Sequence, residues 1–328
     1  MNCTSYHDIL YSRCFNLYIS IESGVTMIEN LVYKIQQLKI EKDAIILAHY
    51  YERPEIQDIA DYVGDSYYLS KIARDCKEST IVFCGVKFMA ESAKILSPQK
   101  TVLLPNIDAG CPMAEMADAD TLAKVKEEHP NAAVVCYINS TAEVKALCDV
   151  SVTSSSAVKI IENIDKDEII FLPDKNLGEY ISEKFPNKKF ILWNGFCITH
   201  KKVKVENIDA IKLLKPEAKV LVHPECEASV RNVADFIGST GEIIAYATKS
   251  SIKEFVIATE VGILHRLKKI KPRAEFYPVS DKAVCEYMKM ITVEKLYESL
   301  RDNKFEVKVP EEIALKARLP IERMLEIV

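Results

Sequence analysis

No apolar run in the 328 residues reaches the roughly 18 that a membrane-spanning helix needs, so the chain is not read as integral to a bilayer. Nor is there a basic surplus: 43 Lys+Arg face 48 Asp+Glu, a formal charge of −5, which leaves no electrostatic footprint for nucleic acid. The ten cysteines include no CxxC pair and no tight framework, and the apolar stretch at 17–21 is too short and interrupted for a secretory signal. These absences point to reduced thiols in a cytoplasmic protein, where a free cysteine is by default a buried core residue. Charged residues at 28% and hydrophobics at 48% exclude disordered, collagenous and coiled-coil readings. The length allows two or three domains.

Clear helical periodicity begins only after Met27, with Ile28, Leu31, Val32, Ile35 and Leu38 on one face. Residues 1–26 are expected to be a poorly ordered extension that adds little to the fold. Met27 is expected to be the natural start, because codons for Gly24-Val25 can spell GGAG just upstream of it. N-terminal mass spectrometry of the native protein checks this, and an intact Met1 peptide would refute it.

Beyond that point the chain repeats. Three strand-like segments, AIILAH ending at His49, AAVVCY ending at Tyr137 and AKVLVH ending at His223, are spaced 88 and then 86 residues apart. Two residues on lie Tyr51, Asn139 and Glu225, and seventeen residues on lie Ser66, Ser154 and Thr240, all three hydroxyl-bearing. Thirty-five residues on, three further apolar runs end at Cys84, Leu172 and Ala258. At 62, 60 and 62 residues on come Cys111, Cys197 and Cys285. Ten cysteines occupy about one position in 33, so three of them in register within two residues is improbable as an accident.

Each repeat reads as strand, helix, short strand, helix, strand, helix, strand. Units this short imply parallel sheets covered by helices on both faces, and wholly apolar runs such as AIILA fit strands buried on both sides. The expected fold is therefore α/β: three αβα sandwich domains related by pseudo-threefold symmetry, at 27–128 with a leading helix, 129–214 and 215–292, then a helical segment at 293–328. Ligands in such sheets gather at the carboxyl ends of the strands. There stand His49, Tyr137 and His223, with Tyr51, Asn139 and Glu225 just beyond. Ser66, Ser154 and Thr240 are expected to begin helices, whose N–H groups favour anions. The three cysteines follow the last strand of each unit, and a threefold arrangement brings all these positions to one axis.

Three thiolates can hold zinc with a fourth ligand or a water. They can equally hold three irons of a [4Fe-4S] cluster, leaving the fourth iron open as a Lewis acid suited to dehydration. The surrounding two His, Tyr, Asn, Glu and three hydroxyls suit a small polyanion, without an evident Lys or Arg clamp.

The motifs HYYERPEIQDIADYVGDS from His49, GCPMAEMA from Gly110, WNGFCITH at 193–200, HPEC at 223–226, ATEVGILHRL from Ala258 and CEYMKMITVEKL from Cys285 resemble those of quinolinate synthases, in one order over 28–328. The resemblance implies a transferase of de novo NAD biosynthesis. It would condense iminosuccinate with dihydroxyacetone phosphate to quinolinate, releasing phosphate and water, and could touch transiently the enzyme that supplies iminosuccinate. It implies one [4Fe-4S] cluster per chain on Cys111, Cys197 and Cys285. It further implies a substrate pocket of His49, Ser66, Tyr137, Ile138, Asn139, Ser154, His223, Pro224, Glu225 and Thr240, with Tyr51 and Glu225 in acid/base roles. Two departures stand out. Some members carry a CxxCxxC run ending at the last ligand, whereas positions 279 and 282 here are Val and Lys, and Asn194 stands where the WPGxC motif often has proline, which would loosen that turn.

Cys226 breaks the register and reads as core, as do Cys76, Cys84, Cys136 and Cys148. His200, three residues past Cys197, is open between a metal ligand, a channel residue and a neighbour of the site; His7, His129 and His265 lack register. Two alternatives remain at this level: another [4Fe-4S] hydro-lyase acting on a hydroxy acid, or an Fe–S sensor that binds a metabolite without turning it over.

Overall fold

The structure is a computed structural model that describes residues 28–327. The expectations placed on residues 1–26 and on Met27 lie outside the described residues. The chain is helical over 28–41, with Ile35 buried and Leu31, Val32 and Leu38 packed on the core, as the periodicity predicts.

Among the described residues twelve strands form three sheets. The first contains β1 (Ala44–His49), β2 (Tyr62–Gly64), β3 (Thr80–Cys84) and β4 (Thr101–Leu103). The second contains β5 (Ala133–Tyr137), β6 (Val150–Val152), β7 (Glu168–Leu172) and β8 (Lys189–Leu192). The third contains β9 (Lys219–Val222), β10 (Phe236–Ile237), β11 (Glu254–Ala258) and β12 (Glu275–Pro278). Their orders are β2-β1-β3-β4, β6-β5-β7-β8 and β10-β9-β11-β12, one topology three times, and every pairing is parallel. Strands β1 and β3 are buried along their whole length, as strands sandwiched between helix layers must be.

The registers make the repeat quantitative. First and second strands pair at an offset of 15 residues in all three sheets (Leu47↔Tyr62, Val135↔Val150, Leu221↔Phe236). First and third strands pair at 36 (Ala48↔Cys84, Cys136↔Leu172, Val222↔Ala258), and third and fourth at 21 (Ile81↔Val102, Ile169↔Phe190, Phe255↔Phe276). A slip of one residue would turn every side chain of a strand to the other face, so burial on both faces holds these offsets fixed. The two-residue difference at Cys197 therefore falls in the loop after the fourth strand.

The last segment returns to the first two units. Residues 305–307 pair antiparallel with β4, through Leu104 N–H to Phe305 O at 3.1 Å and Val307 N–H to Val102 O at 2.8 Å, and so cover an otherwise open sheet edge. The helix Glu311–Ile327 lies against β6 and the helices Lys87–Leu96 and Ala142–Lys145, tying the first unit to the second. Among the described residues no helix is long and apolar enough to cross a membrane.

Candidate active site

A cavity of about 780 Å³ opens where the carboxyl ends of the three sheets meet, the position that parallel sheets leave for ligands. Twelve of the fourteen residues singled out from the sequence line it: His49, Tyr51, Ser66, Cys111, Tyr137, Asn139, Ser154, Cys197, His223, Glu225, Thr240 and Cys285. Ile138 and Pro224 do not; both are buried behind the wall, and Ile138 N–H instead bonds Val152 O at 2.7 Å. Ser66 and Thr240 open the helices Ser66–Asp75 and Thr240–Lys249, but Ser154 does not begin a helix. It sits in a turn, and its helix starts only at Ala157, while Ser156 Oγ turns back to accept Thr153 N–H at 2.8 Å. No Lys or Arg lines the cavity.

The two strand-end histidines are held alike. His49 Nδ1 accepts Tyr51 N–H at 3.1 Å and His223 Nδ1 accepts Glu225 N–H at 3.3 Å. With Nδ1 accepting, the proton of each neutral ring is on Nε2. Burial, with Lys289 beside His49, lowers His49 to about 3, and burial lowers His223 to about 3 as well. Both rings are thus neutral donors rather than cations.

A chain of polar contacts crosses all three units. Tyr137 O–H donates to Glu225 Oε1 at 2.5 Å, and Glu225 Oε2 lies 2.8 Å from His200 Nδ1. His200 Nε2 meets Thr259 Oγ1 at 2.8 Å, Thr259 Oγ1 meets the Tyr51 hydroxyl at 2.7 Å, and that hydroxyl meets Thr240 Oγ1 at 2.8 Å. Burial alone would raise Glu225, but the His200 and His223 imidazoles outweigh it and hold the carboxylate ionised, well below its ordinary range. Burial and the charge of Glu225 push both Tyr51 and Tyr137 well above 10, so each keeps its proton. The set is one ionised carboxylate with two protonated phenols, the arrangement that proton transfer needs.

The three thiols share this wall. Burial pushes Cys111 up to about 12, Cys285 up to about 11 and Cys197 well above the usual thiol range, so deprotonating them needs a cation beside them. Among the described residues, the Cys, His, Asp and Glu side chains whose ligand atoms all fall within 4.8 Å of one another are Cys197, His200 and Glu225, not the three cysteines together. One zinc, with Zn–S bonds of about 2.3 Å, would need its sulfurs roughly 4 Å apart. The three cysteines are therefore not gathered as one zinc would need, while Cys197, His200 and Glu225 could hold a metal.

Behind Tyr51 lies a charged clasp. Glu260 accepts Cys285 N–H at 3.1 Å and Gly262 N–H at 2.6 Å and lies 3.1 Å from Lys289 Nζ, which in turn donates to the carbonyl oxygens of Tyr51 and Glu52. The turn carrying Tyr51 and the loop carrying Cys285 are thereby fixed to each other. Beside them Glu52 is wholly buried with both carboxylate oxygens unpaired, and burial raises it well above 4.5. A raised folded value means that above pH 4.5 the unfolded chain is ionised while the folded chain holds the proton, a penalty that grows with pH. Glu52→Gln is accordingly expected to stabilise the fold at pH 7, with the gain fading toward pH 4.5. Urea unfolding at both pH values checks this, and a destabilised variant at pH 7 would refute it.

Register also missed two residues of the wall and its support. The positions equivalent to Thr259 are Gly85 and Pro173, and those three residues past the other two cysteines are Ala114 and Met288, so neither Thr259 nor His200 has a repeat partner. Their signals are local: a hydroxyl directly after the buried run of β11, and a Cys-x-x-His spacing at 197–200. His129 and His265 stand outside the cavity, paired with Glu168 and Asp58, and Cys226 is wholly buried.

Residues 33–326 match the family model of the quinolinate synthetase A protein, NadA. The chain belongs to that family. It is 60% identical over 291 residues to the quinolinate synthase of Clostridioides difficile (strain 630), an alignment that covers 89% of this chain and 96% of that protein. It is 54% identical over 300 residues to the quinolinate synthase of Clostridium acetobutylicum, covering 91% and 99%, and 52% identical over 297 residues to that of Clostridium kluyveri, covering 90% and 98%. A member of this family is an enzyme that works on small molecules, which agrees with a cavity at the carboxyl ends of the three sheets.

Proposed function

We propose that the chain is a quinolinate synthase, a cytoplasmic transferase that joins iminosuccinate to dihydroxyacetone phosphate and releases quinolinate, phosphate and water, with one [4Fe-4S] cluster per chain. The observation that carries the reading is the convergence of three register-equivalent cysteines, one from each sheet, on a cavity that also holds an ionised carboxylate and two protonated tyrosines. Cys111, Cys197 and Cys285 would hold the cluster. When bound, it supplies a Lewis-acidic iron for a substrate carboxylate or departing hydroxyl.

The remaining work falls to the protein. The substrates are anionic, and the cavity answers with neutral donors: the Nε2–H groups of His49 and His223, the side-chain amide N–H of Asn139, and the hydroxyls of Ser66, Ser154 and Thr240. The first amides of the helices Ser66–Asp75 and Thr240–Lys249 are already taken, Tyr68 N–H by the Asp65 carboxylate at 3.0 Å and Glu242 N–H by Ser239 Oγ at 3.2 Å, so the neutral side-chain donors carry this work. Glu225, ionised and hydrogen-bonded by Tyr137, is placed to take a proton during enolisation and ring closure. Tyr51, held between Thr240 and Thr259, is placed to give one to a departing hydroxyl.

The test is the anaerobically purified chain incubated with iminosuccinate and dihydroxyacetone phosphate. About four iron and four sulfide per chain, with quinolinate and phosphate formed in equal amounts, is the expected result. Zinc in place of iron, iron well short of that content, or no turnover would overturn the reading.

A further inference from the structure

We infer that the cavity also contains a mononuclear metal site, in which Cys197 Sγ, His200 Nδ1 and Glu225 Oε2 take one divalent ion of the zinc class, separately from the three-cysteine set. The three ligand atoms lie within 4.8 Å of one another, and the His200 and Glu225 side chains are 2% and 5% exposed. A thiolate, an imidazole and a carboxylate suit zinc, and three protein ligands leave a fourth position facing the cavity. His200 Nδ1 lies 2.8 Å from Glu225 Oε2 and has no hydrogen-bond partner. A buried ring nitrogen with its neighbours placed this way suits coordination better than hydrogen bonding.

The outer contacts point the same way. Ligating histidines are ordinarily fixed through their other ring nitrogen and ligating carboxylates through their other oxygen. Here His200 Nε2 meets Thr259 Oγ1 at 2.8 Å, and Glu225 Oε1 accepts Tyr137 O–H at 2.5 Å. Each outward-turned atom is held, and Nδ1 and Oε2 are left side by side next to Cys197. Because Cys197 belongs to both sets, an ion here and a cofactor on the three cysteines exclude each other. The same ion also occupies Glu225. Zinc is thus a competitor for this cavity during cofactor assembly.

The experiment titrates the reduced, metal-free chain with Co²⁺ as the spectroscopic probe and then with Zn²⁺. One Co²⁺ per chain, with tetrahedral visible bands and a single-thiolate charge-transfer band, all displaced by Zn²⁺, is the expected result. Cys111→Ser and Cys285→Ser should bind Co²⁺ as the parent does. Cys197→Ser, His200→Asn and Glu225→Gln should each weaken binding by more than the about 10- to 100-fold that follows loss of an outer contact, with circular dichroism showing that each variant folds. A second arm covers the assembly step: reconstitution with iron and sulfide should be blocked by prior Zn²⁺ in the parent and not in Glu225→Gln. No binding, loss of binding in Cys111→Ser or Cys285→Ser, or equal zinc sensitivity of Glu225→Gln overturns the inference. The cobalt titration needs no cluster, so a chain that takes up no iron–sulfur cofactor at all fails the functional reading and leaves this result standing.

Discussion

Glu225→Gln is expected to lower turnover by about 10²- to 10⁴-fold, the usual worth of one general acid or base, while the iron and sulfide content of the anaerobic protein stays at the parent value. Gln keeps the shape of the side chain and can still accept the Tyr137 hydroxyl, which sits 2.5 Å from Oε1. What it loses is the negative charge that His200 and His223 stabilise and the lone pair that takes a proton. The loss should fall on kcat more than on KM, because the proposed binding of the anionic substrates rests on the histidines and the hydroxyls rather than on Glu225. Tyr51→Phe should behave the same way, since it leaves ring packing intact and removes only the hydroxyl between Thr240 and Thr259. Steady-state kinetics with metal analysis of the same preparations decide the matter. Either variant within about threefold of the parent kcat would remove that residue from the proton-transfer steps.

The same reasoning accounts for the absence of arginine and lysine from the cavity wall. A fixed cation would bind substrate and product phosphate and carboxylate alike, and binding both states equally does not accelerate the chemical step. Neutral donors at strand ends and helix starts would hold anions without locking them. Lys289, half-buried beside the site, is turned to the carbonyls of Tyr51 and Glu52 and to Glu260, so its charge acts on the frame of the site.

The strands and their order were legible because burial on both faces leaves little freedom in a parallel sheet. Offsets of 15, 36 and 21 residues recur in all three units, so spacing measured along the chain translated directly into position in space. That is why residues as far apart as Tyr51, Tyr137 and Glu225 could be brought to one wall from their numbers alone. Register fails where the units stop being equivalent. Ser154 was expected at a helix start, but a turn occupies 154–156 and the helix begins at Ala157. His200 and Thr259 have no counterparts in the other units, and only the folded chain brings the loop after β8 against the end of β11. The return of residues 305–307 to β4 was likewise hidden, since a three-residue pairing carries no periodic signal.

Gly195→Ala is expected to destabilise the metal-free chain by about 3 kcal/mol, the upper end for overpacking, and to lower iron retention more than any change at Asn194. A Cβ at position 195 would stand 2.4 Å from Pro173 O and 3.3 Å from Met116 Cβ. The first of these is backbone and cannot swing aside, because Pro173 O accepts Gly195 N–H at 3.0 Å and Gly195 O accepts Lys175 N–H at 2.8 Å. Both bonds pass through residue 195, so Gly195 rather than residue 194 ties this turn down; Asn194 itself is exposed. The loop is also fastened to the first unit, where Trp193 Nε1–H donates to Met116 O at 2.7 Å and Phe196 N–H reaches Met116 Sδ at 3.4 Å. Met116 closes the short helix that follows Cys111. A displaced residue 195 therefore moves Cys197 and strains the segment behind Cys111 together, two of the three thiols that converge on the cavity. Asn194→Pro, by contrast, should stay within about 1 kcal/mol of the parent. Urea midpoints of the metal-free proteins and iron content after reconstitution and gel filtration test the pair. A Gly195→Ala protein with the parent midpoint and iron content would show that the approach to Pro173 does not hold Cys197 in place.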